Sequence, residues 1–519
     1  MRGQPGPAAR EAIGVALVLV AWLGATAWMR PLQLPDEGRY VGVAWEMLRS
    51  GDWAVPTLNG LPYFHKPPLF YWITAASLSV FGNSEWAARA APLLGGWLAA
   101  FSMYLFVRRW QGLRVARLTV LALALQPMLY AGAQFANLDM LVAGCITVAI
   151  TCLAHAALGF EQDRPVPEFV ALAWLFAGLG VLAKGLIGVV IPALVVGVWL
   201  VVRGRWRTLR HLLWWPGVVL FLGIAAPWFL AMQQRFPEFL QYFFVVQHFE
   251  RYAAGGFNNV QPPWFFPAVL ALFSIPWLPW LYRSARQLLA RRSQALANPV
   301  TLLAGLWVVL VILFFSLPAS KLPGYVLPAV PPLAYLAASA FAGLQRPSVA
   351  QRMAWQASCW MAAAVCFGAV AYVGHSPRTS RELGSALRLH REPGEPVLML
   401  NRYAYDVPFY AGLRQPVAVV EAWDSPEVRQ QDDWKRELAD AGRFDRGRAA
   451  GLLLTPDAAM QHLCTVPAAW VVADEQAHER YRLLAQGRLV ARQRGVALWR
   501  VEPARGLPEG GACRAAPAD

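Results

Sequence analysis

Two adjacent carboxylates, Asp36 and Glu37, together with a few cations and imidazoles, interrupt a chain that is 57% hydrophobic. Near a membrane surface such a carboxylate can act as a general base toward an acceptor hydroxyl. Lys66, Arg251 and Lys321 fall in three separate polar stretches. Facing one cavity, they would hold a phosphate and stabilise it as a leaving group. Tyr325 follows Lys321 by four residues, so on a helix it shares that face and can donate to the same phosphate. His65 and His248 form a candidate pair for a divalent metal, with Glu37 or Glu250 as further ligands. Each group also has a structural alternative. Asp36 precedes a helical stretch, Glu37 to Leu48, where an N-cap is expected. Interfacial Lys and Arg commonly extend toward lipid headgroups, and a single His is often a polar interface residue. Asp139 and Lys184 read as boundary residues beside helix ends.

The elements that must position these groups are membrane spans. Apolar runs of roughly 17 to 22 residues, long enough for a hydrocarbon core, fall near 12–29, 88–107, 114–131, 138–158, 168–183 and 185–202. Five more lie near 211–232, 264–282, 299–316, 324–344 and 353–374. An odd number of spans puts the two ends of the chain on opposite sides. Before residue 375 there are 26 Lys and Arg against 12 Asp and Glu, and after it 20 against 19. The net charge of +15 therefore belongs to the membrane half and forms no single patch, which argues against a nucleic-acid partner. With the amino terminus in the cytoplasm, 17 of those 26 basic residues fall in the shorter cytoplasmic loops, as the positive-inside rule requires. The first span has no small-residue cleavage site before Pro31 and reads as an uncleaved helix.

Residues 1–374 thus form a membrane domain with two large outer loops, 30–87 and 233–263, and 375–519 form a soluble domain. In the first loop, Asn59-Gly60 marks a turn, and the aromatic run to Phe81 is expected along the interface rather than across it. The second loop reads as an amphipathic helix, Pro237 to Tyr252, running into a glycine-rich segment that could act as a lid. Beyond 375, short β-rich runs at 396–400, 417–420, 451–454, 469–472 and 496–501 alternate with helical stretches such as Pro426 to Ala441, the pattern of a small α/β domain. Cys464 and Cys513, outside the cytoplasm, are candidates for a disulfide. No nucleotide-binding glycine loop, zinc-protease motif or nucleophile elbow occurs. The candidate groups gather on the outer side, where a lipid-borne donor fits better than a nucleotide sugar.

Three segments carry a resemblance. Leu34-Pro35-Asp36-Glu37-Gly38-Arg39-Tyr40, Ser50-Gly51-Asp52-Trp53 and Tyr63-Phe64-His65-Lys66-Pro67-Pro68 together resemble the aminoarabinose lipid A transferase family. That family lies among the protein O-mannosyltransferase-like glycosyltransferases of the GT-C fold. Gln247-His248-Phe249-Glu250-Arg251-Tyr252 and Ser320-Lys321-Leu322-Pro323-Gly324-Tyr325 extend the similarity over most of residues 30–345. The resemblance implies a polytopic α-helical membrane protein of GT-C type, with about 11 to 13 spans and a small periplasmic α/β domain at the carboxy terminus. It implies residence in the bacterial inner membrane. The implied reaction moves a sugar, such as 4-amino-4-deoxy-L-arabinose, from undecaprenyl phosphate to lipid A or another envelope acceptor, with inversion. Asp36, beside Glu37, matches the catalytic carboxylate. Lys66, Tyr325, Tyr63, Lys321 and, more loosely, Arg251 match the carrier-phosphate site. One departure concerns the metal. The family has Glu where this chain has His65, and that Glu belongs to a metal site with a His matching His248. Histidine can replace Glu as a zinc ligand, and the change equally suits a subfamily with another sugar or acceptor. The other readings are transfer to a protein or other glycan, a lipid or sugar flippase, and a receptor-like membrane component. No repeated motif relates the two halves in the way that many transporters show.

Overall fold

The computed structural model describes residues 6–250, 259–290, 297–375 and 377–502. Among these residues, eight helices are long and apolar enough to cross a membrane, including Pro7–Gly24, Ala90–Gln111, Leu138–Phe160, Pro167–Lys184 and Val349–His375. Two further spans are broken: Leu113–Ala124 with Pro127–Ala133 bends by 61°, and Phe265–Phe273 with Ile275–Ala290 bends by 74°. Both breaks fall beside a proline, Pro127 and Pro276, which lacks an N–H and cannot continue the helical ladder. Backbone groups freed at such a break must be satisfied within the protein. The two breaks meet there, with Gln126 Nε2 donating to Ser274 Oγ at 2.9 Å. The shorter apolar helix Ile187–Val202 corresponds to one more expected span, and the aromatic run to Phe81 forms a 13-residue helix, Leu69–Phe81.

Backbones approach closely where side chains are small. The helices Ala90–Gln111 and Leu138–Phe160 meet at Gly95 and Gly144: a Cβ on Gly95 would lie 2.6 Å from Leu141 Cα, and one on Gly144 would lie 2.8 Å from Gly95 Cα. That contact sets the position of the helix that carries Asp139.

After the first span, the Asp36–Ser50 helix ends at Gly51, which has φ +74°. A hairpin follows, with β1 (Thr57–Leu58) and β2 (Leu61–Pro62) joined at Asn59-Gly60 as the sequence predicts. The carboxy-terminal unit, expected as the soluble domain, is a six-stranded sheet in the order β5-β4-β3-β6-β8-β7. Its strands are β3 (Val397–Leu400), β4 (Ala418–Val420), β5 (Leu453–Leu454), β6 (Ala469–Asp474), β7 (Arg488–Gln493) and β8 (Val496–Val501). The first four are parallel, and β6, β8 and β7 are antiparallel. Five strands match the expected runs. The sixth, β7, carries two Arg and a Gln among its six residues, which hide its apolar alternation. Cys464 is disulfide-bonded, and Cys513 lies outside the described residues.

The sheet is not an appendage. The loop after β3 lies on the Asp36–Ser50 helix, where a Cβ on Gly38 would come 3.1 Å from Tyr405 Cβ. Val397, Met399 and Trp470 join Val41 and Trp45 in one buried apolar cluster. Burial of that continuous surface fixes the soluble domain over the outer loops.

Candidate active site

A cavity of about 460 Å³ opens between the outer loops, the membrane helices and the soluble domain. Its lining includes Asp36, Arg39, Tyr63, His65, Lys66, Asp139, Lys184 and Tyr325, and from the soluble domain Asp432 and Glu437.

Asp36 opens its helix, but Pro35 occupies the capping position and no side-chain cap bond forms. The expected capping role is therefore not taken, and the carboxylate is left for the cavity. It pairs with Arg39 one turn on, and Arg39 also pairs with Glu437. Tyr405 Oη donates to the other Glu437 oxygen at 2.6 Å. Burial pushes the Glu437 carboxyl up, against the pull of Arg39. The Asp36 side chain is 39% exposed and that of Glu437 only 5%. Asp36 is thus the carboxylate a substrate can reach, and Glu437 holds the arginine beside it.

Glu37 has a different role from the one expected beside Asp36. It is fully buried and pairs with two buried arginines, Arg30 and Arg89, the latter at 2.9 Å. It also accepts from Gln33 N at 2.9 Å and Ala136 N at 2.8 Å. Burial works to raise its pKa, but the Arg89 and Arg30 guanidiniums prevail and hold it at about 2. This anchor ties together the segment after the first span, the Asp36–Ser50 helix and two membrane helices. It does not line the cavity, so the catalytic assignment of Glu37 is corrected to a structural one.

Lys66, Tyr63 and Tyr325, expected at a phosphate site, also line the cavity. Burial raises the Tyr63 pKa well above the ordinary phenol value, keeping the hydroxyl a donor. Asp139 and Lys184, expected as boundary residues, meet in this lining as an ion pair, and Lys184 Nζ lies 4.3 Å from the centre of the Tyr325 ring. Asn137 caps the Asp139 helix, with its oxygen accepting from Asp139 N at 3.0 Å. Lys321 is corrected. Its ammonium donates to the carbonyls of Gln261 at 2.8 Å and Ala319 at 3.4 Å, and its 3% exposure leaves it no access to the cavity. It fastens two outer loops together. Arg251 and the side chains of His248 and Glu250 lie outside the described residues, as does the glycine-rich segment read as a lid.

The His65-Lys66 pair is seated by aromatic packing. His65 stacks on Tyr63 with ring centres 4.4 Å apart. Phe64 packs against Phe236, Phe239 and, from the soluble domain, Phe444, at 4.9, 5.0 and 4.9 Å. Among the described residues no group of three or more His, Cys, Asp or Glu could hold a metal ion. The side chains of His248 and Glu250, the partners suggested for His65, lie outside that set.

A second cavity, about 390 Å³ and mostly apolar, shares Asp36, Asn137, Asp139 and Leu322 with the first. Its walls are the Pro127–Ala133 helix, the turn at Pro323–Leu327 and the last span at Val365–Val373. Asp36 thus stands where a polar cavity meets an apolar one. Arg39, Asp432 and Glu437 were not among the sequence candidates. Arg39 had a signal, its one-turn spacing from Asp36, whereas Glu437 sits on an ordinary amphipathic helix of a separate domain.

This arrangement, and a helical membrane unit capped by a mixed sheet, define a polytopic membrane protein with the GT-C glycosyltransferase architecture. Residues 65–230 match the family model of the dolichyl-phosphate-mannose-protein mannosyltransferases. Within that architecture the chain is similar to the undecaprenyl phosphate-aminoarabinose transferases. It is 32% identical to the undecaprenyl phosphate-alpha-4-amino-4-deoxy-L-arabinose arabinosyl transferase of Shewanella sediminis over 314 residues, 60% of this chain and 56% of that relative. The chain spans about 55–63% of the length of the curated relatives it matches. The crystal structure of ArnT from Cupriavidus metallidurans bound to undecaprenyl phosphate superposes with a TM-score of 0.80 at 26% identity, covering 95% of this chain and 97% of that one. The archaeal oligosaccharyltransferase AglB from Archaeoglobus fulgidus shares the fold, with a TM-score of 0.54 at 14% identity over 90% of this chain and 70% of that one.

Proposed function

We propose that this chain is a glycosyltransferase that moves a sugar, 4-amino-4-deoxy-L-arabinose or a relative, from undecaprenyl phosphate to lipid A or another lipid-linked envelope acceptor. The observation that carries the reading is Asp36, still accessible, facing Lys66, Lys184 and Tyr325 across one cavity. The acceptor oxygen attacks the anomeric carbon while the bond from that carbon to the phosphate oxygen breaks, and its electron pair leaves with the phosphate. Lys66 and the Tyr325 and Tyr63 hydroxyls stabilise that charge, and Arg251 is the further cation suggested for it. Asp36 takes the proton of an acceptor hydroxyl, or orients an acceptor phosphate that is already ionised. The apolar cavity beside Asp36 accommodates the chain of a lipid substrate. No step is routed through a metal. The excess of Lys and Arg on alternate loops supports a cytoplasmic amino terminus and a periplasmic site in the inner membrane.

The matched family model favours a second reading, a protein acceptor. Purified protein, offered the lipid-linked sugar with lipid A or with periplasmic protein, separates the two by product mass. A sugar-sized increase on lipid A supports the first reading, one on protein the second, and no increase on any acceptor rejects transferase activity.

A further inference from the structure

A separate pocket of about 130 Å³ lies where the carboxy-terminal end of the Asp36–Ser50 helix and the Asn59-Gly60 turn meet the soluble domain. Three exposed guanidiniums line it: Arg49 from the helix, and Arg414 and Arg448 from the soluble domain. None of the three forms an ion pair among the described residues. Arg49 lies 4.0 Å from the Trp45 ring centre, and Trp45 Nε1 in turn donates to Leu413 O at 3.1 Å. Partial burial and the neighbouring charge of Arg414 lower the Arg49 pKa. Two like charges therefore stand close together, neither in an ion pair among the described residues, a repulsion that a bound anion relieves.

The carboxylates in the lining are otherwise engaged. Glu46 accepts from Thr57 Oγ1 at 2.8 Å, Asn59 N at 2.6 Å and Gly60 N at 2.8 Å. Asp52 accepts from Ala54 N at 2.9 Å and pairs with Arg235 at 3.3 Å. The turn is also fixed against the soluble domain. Asn59 and Gly60 both have positive φ, 53° and 73°, and a Cβ on Gly60 would overlap Pro416. The Asn59 amide exchanges two 2.9 Å hydrogen bonds with the Val417 backbone. The arginines thus approach the pocket from two rigidly joined sides.

We propose that Arg49, Arg414 and Arg448 form a second binding site, for phosphate or a phosphate group of similar size, bridging the membrane domain and the soluble domain. Guanidinium forks suit phosphate oxygens, and the pocket is too small for a lipid-linked sugar. The ligand is either a free oxyanion or the headgroup of an anionic lipid. Burial raises Glu46 to about 7, against the hydrogen bonds it accepts and the charge of Arg448. Acidification through that range therefore removes a negative charge beside the pocket.

The full chain in phosphatidylcholine nanodiscs, titrated calorimetrically with inorganic phosphate, tests this. Lys66→Gln first removes the contribution of the catalytic cavity. In that background, Arg49→Gln with Arg414→Gln is expected to weaken phosphate at least about tenfold, the loss of one charge-assisted hydrogen bond. In a second arm, nanodiscs with phosphatidylglycerol are examined by native mass spectrometry. Loss of retained phosphatidylglycerol in the double variant identifies a lipid headgroup as the source, and an effect on inorganic phosphate identifies a free oxyanion. Equal phosphate affinity and equal lipid retention with and without the two arginines overturn the proposal.

Discussion

Replacing Gly324 by alanine drives a methyl group into the Asp139 carboxylate. The added Cβ would overlap a carboxylate oxygen and lie 2.8 Å from Asp139 Cγ and 3.1 Å from its Cβ, where non-bonded carbons prefer about 3.5–4.0 Å. One partner must therefore shift by about 1 Å. Asp139 holds Lys184, and Lys184 lies against the ring of Tyr325, so the shift falls on the group proposed to meet the leaving phosphate. Overpacking of this kind costs about 1–3 kcal/mol of stability, which a membrane protein of this size tolerates. A displacement of about 1 Å in a catalytic constellation costs about 100-fold in rate. In a transfer assay with purified carrier-linked sugar, kcat should fall between about 10- and 100-fold while the melting temperature moves little. Gly324→Ala with Asp139→Ala removes the overlap, so its loss should be smaller than the sum of the two single losses in free energy. A folded Gly324→Ala protein with kcat and KM close to those of the wild type would refute the reasoning.

Lys66→Gln and Tyr325→Phe should each lower kcat/KM for the carrier-linked sugar by roughly 10- to 100-fold, the worth of a charged hydrogen bond, read by initial rates. Glu37→Gln leaves Arg30 and Arg89 buried without their charge partner and should cost about 3–5 kcal/mol, seen as lost yield and a lower melting temperature. Because the native pKa of Glu37 is depressed from 4.5 to about 2, its contribution is complete above about pH 4.5 and disappears as pH falls toward 2; Glu37→Gln should lack that acid transition. Glu46 has the opposite sign: its native pKa is raised from 4.5 to about 7. The wild type should gain stability over Glu46→Gln as pH falls through about 7, with the gain complete near 4.5, measured by thermal melting across pH; a difference that does not change with pH contradicts it. Glu437→Gln should lower kcat and the melting temperature together, because Arg39 loses its buried carboxylate partner and draws Asp36 toward itself.

Much of this site was legible before any coordinates because membrane physics makes polar residues conspicuous. Asp36, Lys66 and Tyr325 could be selected because charges and hydroxyls at the edge of apolar runs need a reason, and all three line the cavity. Glu37 was legible as a carboxylate but not as an anchor. Its partners Arg30, Arg89 and the Ala136 amide come from distant segments that only packing brings together. Asp139 and Lys184 stand 45 residues apart, and each alone looks like an ordinary helix-end residue. Lys321 matched a motif, yet its ammonium is used by two backbone carbonyls, a choice set by loop conformation. Glu437 was least legible, since nothing in an amphipathic helix of the soluble domain signals that it reaches Arg39.

The most direct measurement compares wild type with Asp36→Asn in a single-turnover reaction, with enzyme in excess over the lipid-linked sugar and the glycosylated acceptor followed by mass. The amide preserves the shape and removes the charge. Sugar transfer by the wild type, and a loss of about 100-fold or more in the Asn variant with donor binding retained, is the predicted result. Transfer at the wild-type rate by folded Asp36→Asn would contradict the account.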